Sequence, residues 1–493
     1  MEASTAKTSG VRVNNRHRSI NPRPLQEAQR PFVINKGRIV EAIYVTPEVP
    51  EWANNPLSCA LPRGLDIKGA GARLAQEPKY DKLLRKEPAH VRRLLLQHAM
   101  KFIFIPLSVH LDLQQRLQCA IRVGYADRNP MEIDYSTQLE AKLDEFDQYA
   151  GQHNTEIDNS ATTASGFNIL GLSGGGKSRT TLRCLHLLPQ TIKHSRFQGR
   201  DFTYKQLVWL KLDCPFDGNP KGLCIQFFTT VDAILGTDYR FNYAGKRRII
   251  EEMMNDMRRA AGNHSLGLLV VDEIQRLSLA KSGGADKMLN FFVELLSTIG
   301  VPVVLIGTYK GMSVLSGEFS QMRRGTGQGD MIWDRMENDV QWHHFVESLW
   351  RYQYVRKDSA PDDRVKDGPT LSDVLYDETQ GIVDFAIKLF MFAQERAIET
   401  GRERIDAGLI RKAAKDKLKI PRIVLNALKT KDMRILEKFE DLYPAAMRDY
   451  FAYQAIEPQL YGKIATSPEM KALLEEYRQG NTNQLEVPDE SRK

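Results

Sequence analysis

The strongest chemical signal is the stretch Gly171-Leu-Ser173-Gly174-Gly175-Gly176-Lys177-Ser178, which fits GxxxxGK[ST] at every fixed position. Glycines let successive backbone N–H groups turn inward around phosphate oxygens. A helix opening behind them adds the positive end of its dipole. Lys177 has the reach for the outer phosphates of ATP, and Ser178 can hold Mg²⁺. Arg179, next in sequence, joins the nucleotide set. An apolar run, Phe167–Leu172, precedes the loop, and helical periodicity follows from Arg179 to Leu188. That strand–loop–helix order makes an incidental glycine turn the weaker reading.

Two more apolar runs end in polar residues. Gly267-Leu-Leu-Val-Val-Asp272-Glu273 closes on paired carboxylates. Asp272 would serve the Mg²⁺ water shell, and Glu273 would orient or deprotonate the attacking water. Val303-Val-Leu-Ile-Gly307-Thr308 places Thr308 to sense the terminal phosphate, the plainer reading being a strand-end threonine. Arg323 and Arg324 sit in a glycine-bounded segment. Either could supply the cation that completes a neighbouring subunit's site, and either could be a solvated basic turn. Lys388, on a helix spanning 381–395, is a candidate phosphate contact or a solvent-facing lysine. Lys211, Lys221, Lys246, Arg247 and Arg248 could follow a DNA phosphate backbone, the last three opening a helix. A charge run of that kind also suits a solvated face.

These groups need a scaffold, and 493 residues allow about three domains. Composition excludes a collagen, a rod and a wholly disordered chain, at 42% hydrophobic and 27% charged. No run of about eighteen apolar residues exists, and the N-terminus has no apolar signal core, so the expectation is cytoplasmic, with no membrane partner. Cys59, Cys119, Cys184, Cys214 and Cys224 form no CxxC pair, which suggests buried reduced thiols. The net charge is +7, and residues 1–40 carry eight basic side chains against two acidic ones. A basic arm that cannot build a core suggests an anionic partner such as nucleic acid.

The expected fold class is α/β: a P-loop core with a parallel sheet and helices on both faces, and a helical lid. The expected divisions are a flexible arm over 1–30 and a mixed α/β extension domain over 31–150. The ATPase core follows over 151–345 and the helical lid over 346–430. A helical extension with a polar tail closes the chain over 431–493.

Taken together, GLSGGGKS, LGLLVVDEIQRLS, SGGADKMLNFFVELLSTIGVPVVLIGT and MRRGTGQG resemble the TnsC family, the AAA+ regulators of Tn-seven-class cut-and-paste transposons. The likeness is close from about 165 to 330. It continues more loosely through RVGYADRNP (122–130) and GIVDFAIKLFMFAQERAI. It implies an AAA+ ATPase that assembles as a ring or filament on duplex DNA. It also implies a link between a target-selector protein and transposase subunits, with disassembly on ATP hydrolysis in a bacterial cytoplasm. On this analogy Lys177 and Ser178 bind ATP and Mg²⁺, Asp272 and Glu273 serve metal and water, and Arg323 or Arg324 acts in trans. The arm and extension domain would meet the selector and the tail a transposase subunit. A helicase loader or replication-initiator ATPase is the alternative that shares these residues. A third class is an ATP-binding signalling switch that never touches DNA.

Overall fold

A computed structural model describes residues 33–133, 165–245, 248–279, 284–311, 328–364 and 367–430, with isolated positions at 137, 139–141, 432 and 435. The basic arm, the polar stretch 151–164 and all but two positions of 431–493 lie outside the described residues.

In chain order the elements are β1 (Ile39–Glu41), α1 (Pro56–Cys59), α2 (Ile67–Leu74), α3 (Ala89–Phe102) and α4 (Ser108–Ala126). Then come β2 (Phe167–Gly171), α5 (Lys177–Leu185), β3 (Thr191–Phe197), β4 (Arg200–Leu207), β5 (Leu210–Asp213) and α6 (Pro220–Leu235). Next are α7 (Tyr239–Tyr243), α8 (Ile250–Asn263), β6 (Leu269–Asp272), α9 (Gly284–Ile299), β7 (Val303–Gly307) and β8 (Met331–Trp333). Five helices follow: α10 (Val340–Trp350), α11 (Leu371–Thr379), α12 (Val383–Glu399), α13 (Ala407–Lys417) and α14 (Arg422–Thr430).

The main sheet runs β5-β6-β7-β2-β8, and every neighbouring pair is parallel. Both faces are covered, which is why β2, β6 and β7 are apolar without alternation and wholly buried. One face packs on α6, α8 and α9 through Phe227, Phe228, Met257, Phe291 and Phe292. The other packs on α4 and α5 through Leu113, Leu117, Ile121 and Leu185. The expected P-loop architecture is therefore present, with strand β7 set between the glycine loop's strand and the acidic strand.

A small sheet, β1-β3-β4, was not anticipated. The strands β3 and β4 form a hairpin closed by Gln198 and Gly199, whose φ angles are 46° and 81°. Two positive φ values in a two-residue turn match the right-handed twist of the strands. Leu207 ends β4 and Leu210 opens β5, with Val208 and Trp209 buried between them.

The segment expected as an extension domain shares its cores with its neighbours. Every buried cluster that its described residues join also holds residues of the sheet, the hairpin or the lid. The physical reason is that α4 is needed to cover a sheet face. The stretch 122–130 locks that contact: Tyr125 Oη donates to the Ser265 carbonyl at 2.9 Å and Arg128 Nη1 to the Leu266 carbonyl at 2.7 Å. Gly267 is obligatory beneath it, because a Cβ there would lie 2.5 Å from the Tyr125 hydroxyl.

Helix α3 packs with the C-terminal helices. Leu96, Ala99 and Met100 share a core with Trp342, Phe345, Leu389 and Phe390. Arg92 is 1% exposed and forks onto Glu403 at 2.8 and 2.7 Å, with the Tyr354 carbonyl also 2.8 Å from Nη1. The hydrogen bonds from Arg92 hold the Glu403 carboxyl below the usual range. Arg92→Leu leaves that carboxylate without its partner. The expected loss is about 3 kcal/mol, the lower end of the range for broken buried pairs, since Glu403 keeps some solvent contact. Denaturant unfolding monitored by lid proteolysis measures it, and a loss below 1 kcal/mol would refute the clamp.

Four cysteines are buried as expected, and Cys119 is exposed on α4. Burial pushes the thiols of Cys184, Cys214 and Cys224 up to about 12. Among the described residues no helix is long and apolar enough to cross a membrane.

Candidate functional site

The glycine loop connects the buried end of β2 to the first turn of α5. Gly174 and Gly176 take φ of 82° and 91°, a region L-residues avoid. Gly171 is glycine for a different reason. It ends β2 beside Trp333, and a Cβ there would lie 1.9 Å from the Trp333 carbonyl oxygen. Lys177 is buried, and its ammonium donates to the carbonyls of Gly171 at 2.8 Å and Leu172 at 2.7 Å. The loop is thus folded around its own cation, which phosphate oxygens can take over. Ser173 is exposed, Gly175 half-buried, and Ser178 half-buried in the first turn of α5.

Two residues expected at the nucleotide, Arg179 and Lys388, have protein partners for their side chains. Arg179 donates to the carbonyls of Lys101 and Ile103 at 3.0 and 3.2 Å, tying α5 to the end of α3. Its side chain is engaged there by backbone acceptors. Lys388 pairs with Asp384, one helical turn earlier on α12. The Asp384 Cβ lies 4.0 Å from a Cβ built on Gly174.

Trp333 and His110 were not singled out in the sequence. The Trp333 indole donates to the Gly175 carbonyl at 2.8 Å, bracing the loop from β8. The His110 ring stacks on it at 5.5 Å, and burial pulls that imidazole down to about 4. With Leu107, Met336 and Ile382 these rings line a small cleft beside the loop. The short apolar run MIW ahead of Asp334 was the one available signal for Trp333.

Across β7, Asp272 is 3% exposed at the end of β6. One oxygen accepts the Glu273 N–H at 2.9 Å, and the other lies 2.8 Å from Lys211 Nζ. Glu273 holds a φ of 61°, a strained conformation for a non-glycine residue. Its carboxylate accepts from Gln275 Nε2 at 2.7 Å and lies 3.6 Å from Arg276. Gln275 also accepts the Thr308 N–H at 3.2 Å. Gln275 therefore bridges the acidic strand and the β7 terminus, a link that no motif spacing announced. Asp272 and Ser178 offer hard oxygen donors of the kind Mg²⁺ takes.

Lys211 requires a correction. It was expected on a DNA-facing surface, but its side chain is 5% exposed on β5. Its ammonium lies 2.7 Å from Asp213 and 2.8 Å from Asp272. Burial pulls its pKa down, but Asp272 and Asp213 outweigh that and raise it overall. It cannot meet a phosphate backbone from there. Lys221 donates to the Arg248 carbonyl at 2.8 Å, so these two do come together. Arg248 pairs with Asp256 and lies over the Tyr243 ring. Lys246, Arg247, Arg323 and Arg324 lie outside the described residues.

Residues 161–314 match the family described as AAA domain. That domain spans the glycine loop, the acidic strand and Thr308, and the whole has an AAA+ P-loop fold. Solved structures resemble the chain more loosely. The ORC2 protein of Aeropyrum pernix is 13% identical, with a TM-score of 0.35, over 60% of this chain and 71% of that one. Cdc6p of Pyrobaculum aerophilum is 14% identical, with a TM-score of 0.33, over 58% and 68%. A Walker-type ATPase of Pyrococcus abyssi is 14% identical, with a TM-score of 0.32, over 62% and 77%. No curated protein sequence matches.

Proposed function

We propose that this AAA+ protein hydrolyses ATP and uses the nucleotide state to control its assembly on duplex DNA, as a regulator of cut-and-paste transposition. One observation carries the ATPase part. The buried Lys177 and the Asp272-Glu273 pair lie at the same, C-terminal edge of one parallel sheet, on strands separated only by β7. In the proposed cycle Lys177 leaves two backbone carbonyls for phosphate oxygens. Ser178 and Asp272 hold Mg²⁺, which when bound neutralises phosphate charge. The Glu273 carboxylate orients water and accepts its proton, while Gln275 steadies it and ties it to Thr308. Arg323 or Arg324 would complete the site of a neighbouring subunit.

The DNA and transposition parts rest on the sequence resemblance to the TnsC family. They bring a target selector and transposase subunits as partners. Lys221 and Arg248, brought together at the starts of α6 and α8, support a phosphate-contacting edge; the basic arm supports a second.

The test is negative-stain imaging of the purified protein with duplex DNA and a non-hydrolysable ATP analogue, with ADP, and without nucleotide. Rings or filaments confined to DNA plus the analogue are expected. Nucleotide-dependent capture of a replicative helicase without continuous assembly would favour the replication-initiator or helicase-loader alternative. No retention on DNA at low salt would favour the signalling switch.

A further inference from the structure

Lys211 is a buried cation beside the acidic strand that the proposed cycle does not use. It stands on β5, next to β6, where Asp213 pairs in register with Asp272. Lys211 and Asp213, two residues apart on one strand, present their side chains to the same face as Asp272. The result is a single ammonium held 2.7 and 2.8 Å from two carboxylates, with both Lys211 and Asp272 side chains 5% exposed. A buried ammonium is tolerated only when paired in this way. Without it, two carboxylates on adjacent strands would face each other, and that is an oxygen set that draws a divalent cation.

We propose that Lys211 is a built-in counter-cation that weakens the hold of Asp272 on Mg²⁺, so that the metal stays only while phosphate oxygens share it. The inference rests on the reading of Asp272 as the Mg²⁺-side carboxylate. The local charge is −1 with Lys211 in place and −2 without it. A metal ion approaching Asp272 meets an ammonium already in contact with one of its oxygens. Loss of phosphate after hydrolysis would then release the metal as well, because Asp272 alone cannot keep it against Lys211.

Binding of N-methylanthraniloyl-ADP, titrated with Mg²⁺, orders four variants by charge. Lys211→Met lowers the half-saturating Mg²⁺ by about tenfold or more. Asp213→Asn, which removes one carboxylate and keeps the ammonium, raises it. The double variant restores the wild-type net charge and returns close to the wild-type value. Lys211→Arg keeps the cation and stays within about threefold of wild type. In the absence of nucleotide, Mg²⁺ raises the Tm of Lys211→Met and leaves wild type unmoved. Should Lys211→Met fail to fold, Asp213→Asn still carries the test, since Lys211 keeps Asp272 as its partner. An unchanged or increased Mg²⁺ requirement in folded Lys211→Met, or an unchanged one in Asp213→Asn, overturns the inference. If wild type binds no fluorescent ADP at any Mg²⁺ concentration, the nucleotide reading itself fails.

Discussion

Glu273→Gln leaves nucleotide binding intact and lowers ATP turnover by a factor of about 10² to 10⁴, the usual contribution of a positioned general base. The glutamine side chain has nearly the same shape, so the strained backbone at φ 61° has no new clash to absorb. Its amide oxygen can still accept from Gln275 Nε2, the contact that Glu273 makes at 2.7 Å. What disappears is a carboxylate able to take a proton from water. Affinity and turnover therefore separate. Phosphate release should collapse, while fluorescent ATP-analogue binding stays within about twofold, because the phosphate-holding groups are on the other side of β7. On DNA the variant should remain assembled after ATP addition, where the proposed cycle has wild type disassemble. Normal phosphate release would remove Glu273 from the mechanism. Loss of binding together with turnover would instead say that the substitution had disturbed Asp272, whose carboxylate accepts the Glu273 N–H.

The parts of this site that were legible in the sequence are those whose chemistry is local in the chain. The glycine loop, its lysine and the strand before it are contiguous, so spacing alone reports them. The runs ending at Asp272 and Thr308 are buried on both faces, and an uninterrupted apolar run reports that too. The residues that brace these groups are distant. Trp333 reaches Gly175 across 158 positions, and Arg92 reaches Glu403 across 311. No window of sequence contains both ends of such a contact. Lys211 shows how residue type misleads when the neighbourhood is ignored. A lysine suggests a surface, yet it sits between Leu210 and Leu212 in a strand of a sheet covered on both faces. That flanking pattern was the available cue, and its carboxylate partners, one of them 61 positions later, supply the reason it can be buried. Arg179 shows the opposite case. It is next to the loop in sequence, but its position on α5 turns its guanidinium toward the end of α3.

Lys177→Ala should weaken ATP binding by roughly 10²-fold, and the size of that effect depends on what Lys177 does before ATP arrives. The residue is 8% exposed, and its ammonium already donates to two carbonyls, at 2.8 and 2.7 Å. Hydrogen bonds involving a charged group contribute about 1.5–3 kcal/mol each. Two such bonds to phosphate would give up to about 6 kcal/mol if the ammonium had no other partner. It has partners, so binding exchanges charge-to-neutral bonds for charge-to-charge ones. The net difference is about 3 kcal/mol, or roughly two powers of ten in affinity. The same exchange limits the cost to the free protein. Alanine leaves the Gly171 and Leu172 carbonyls without the ammonium, but the Leu172 carbonyl keeps the Gly175 N–H at 3.4 Å. Thermal unfolding without nucleotide should therefore shift by only a few degrees, while the stabilisation that ATP confers on wild type should vanish at the same concentration. Lys177→Arg is the sharper control. Its longer planar head keeps the charge but cannot place a compact ammonium between those two carbonyls, so it should bind ATP worse than wild type despite equal charge. Binding by Lys177→Ala within threefold of wild type would mean that the phosphates sit somewhere other than in this loop.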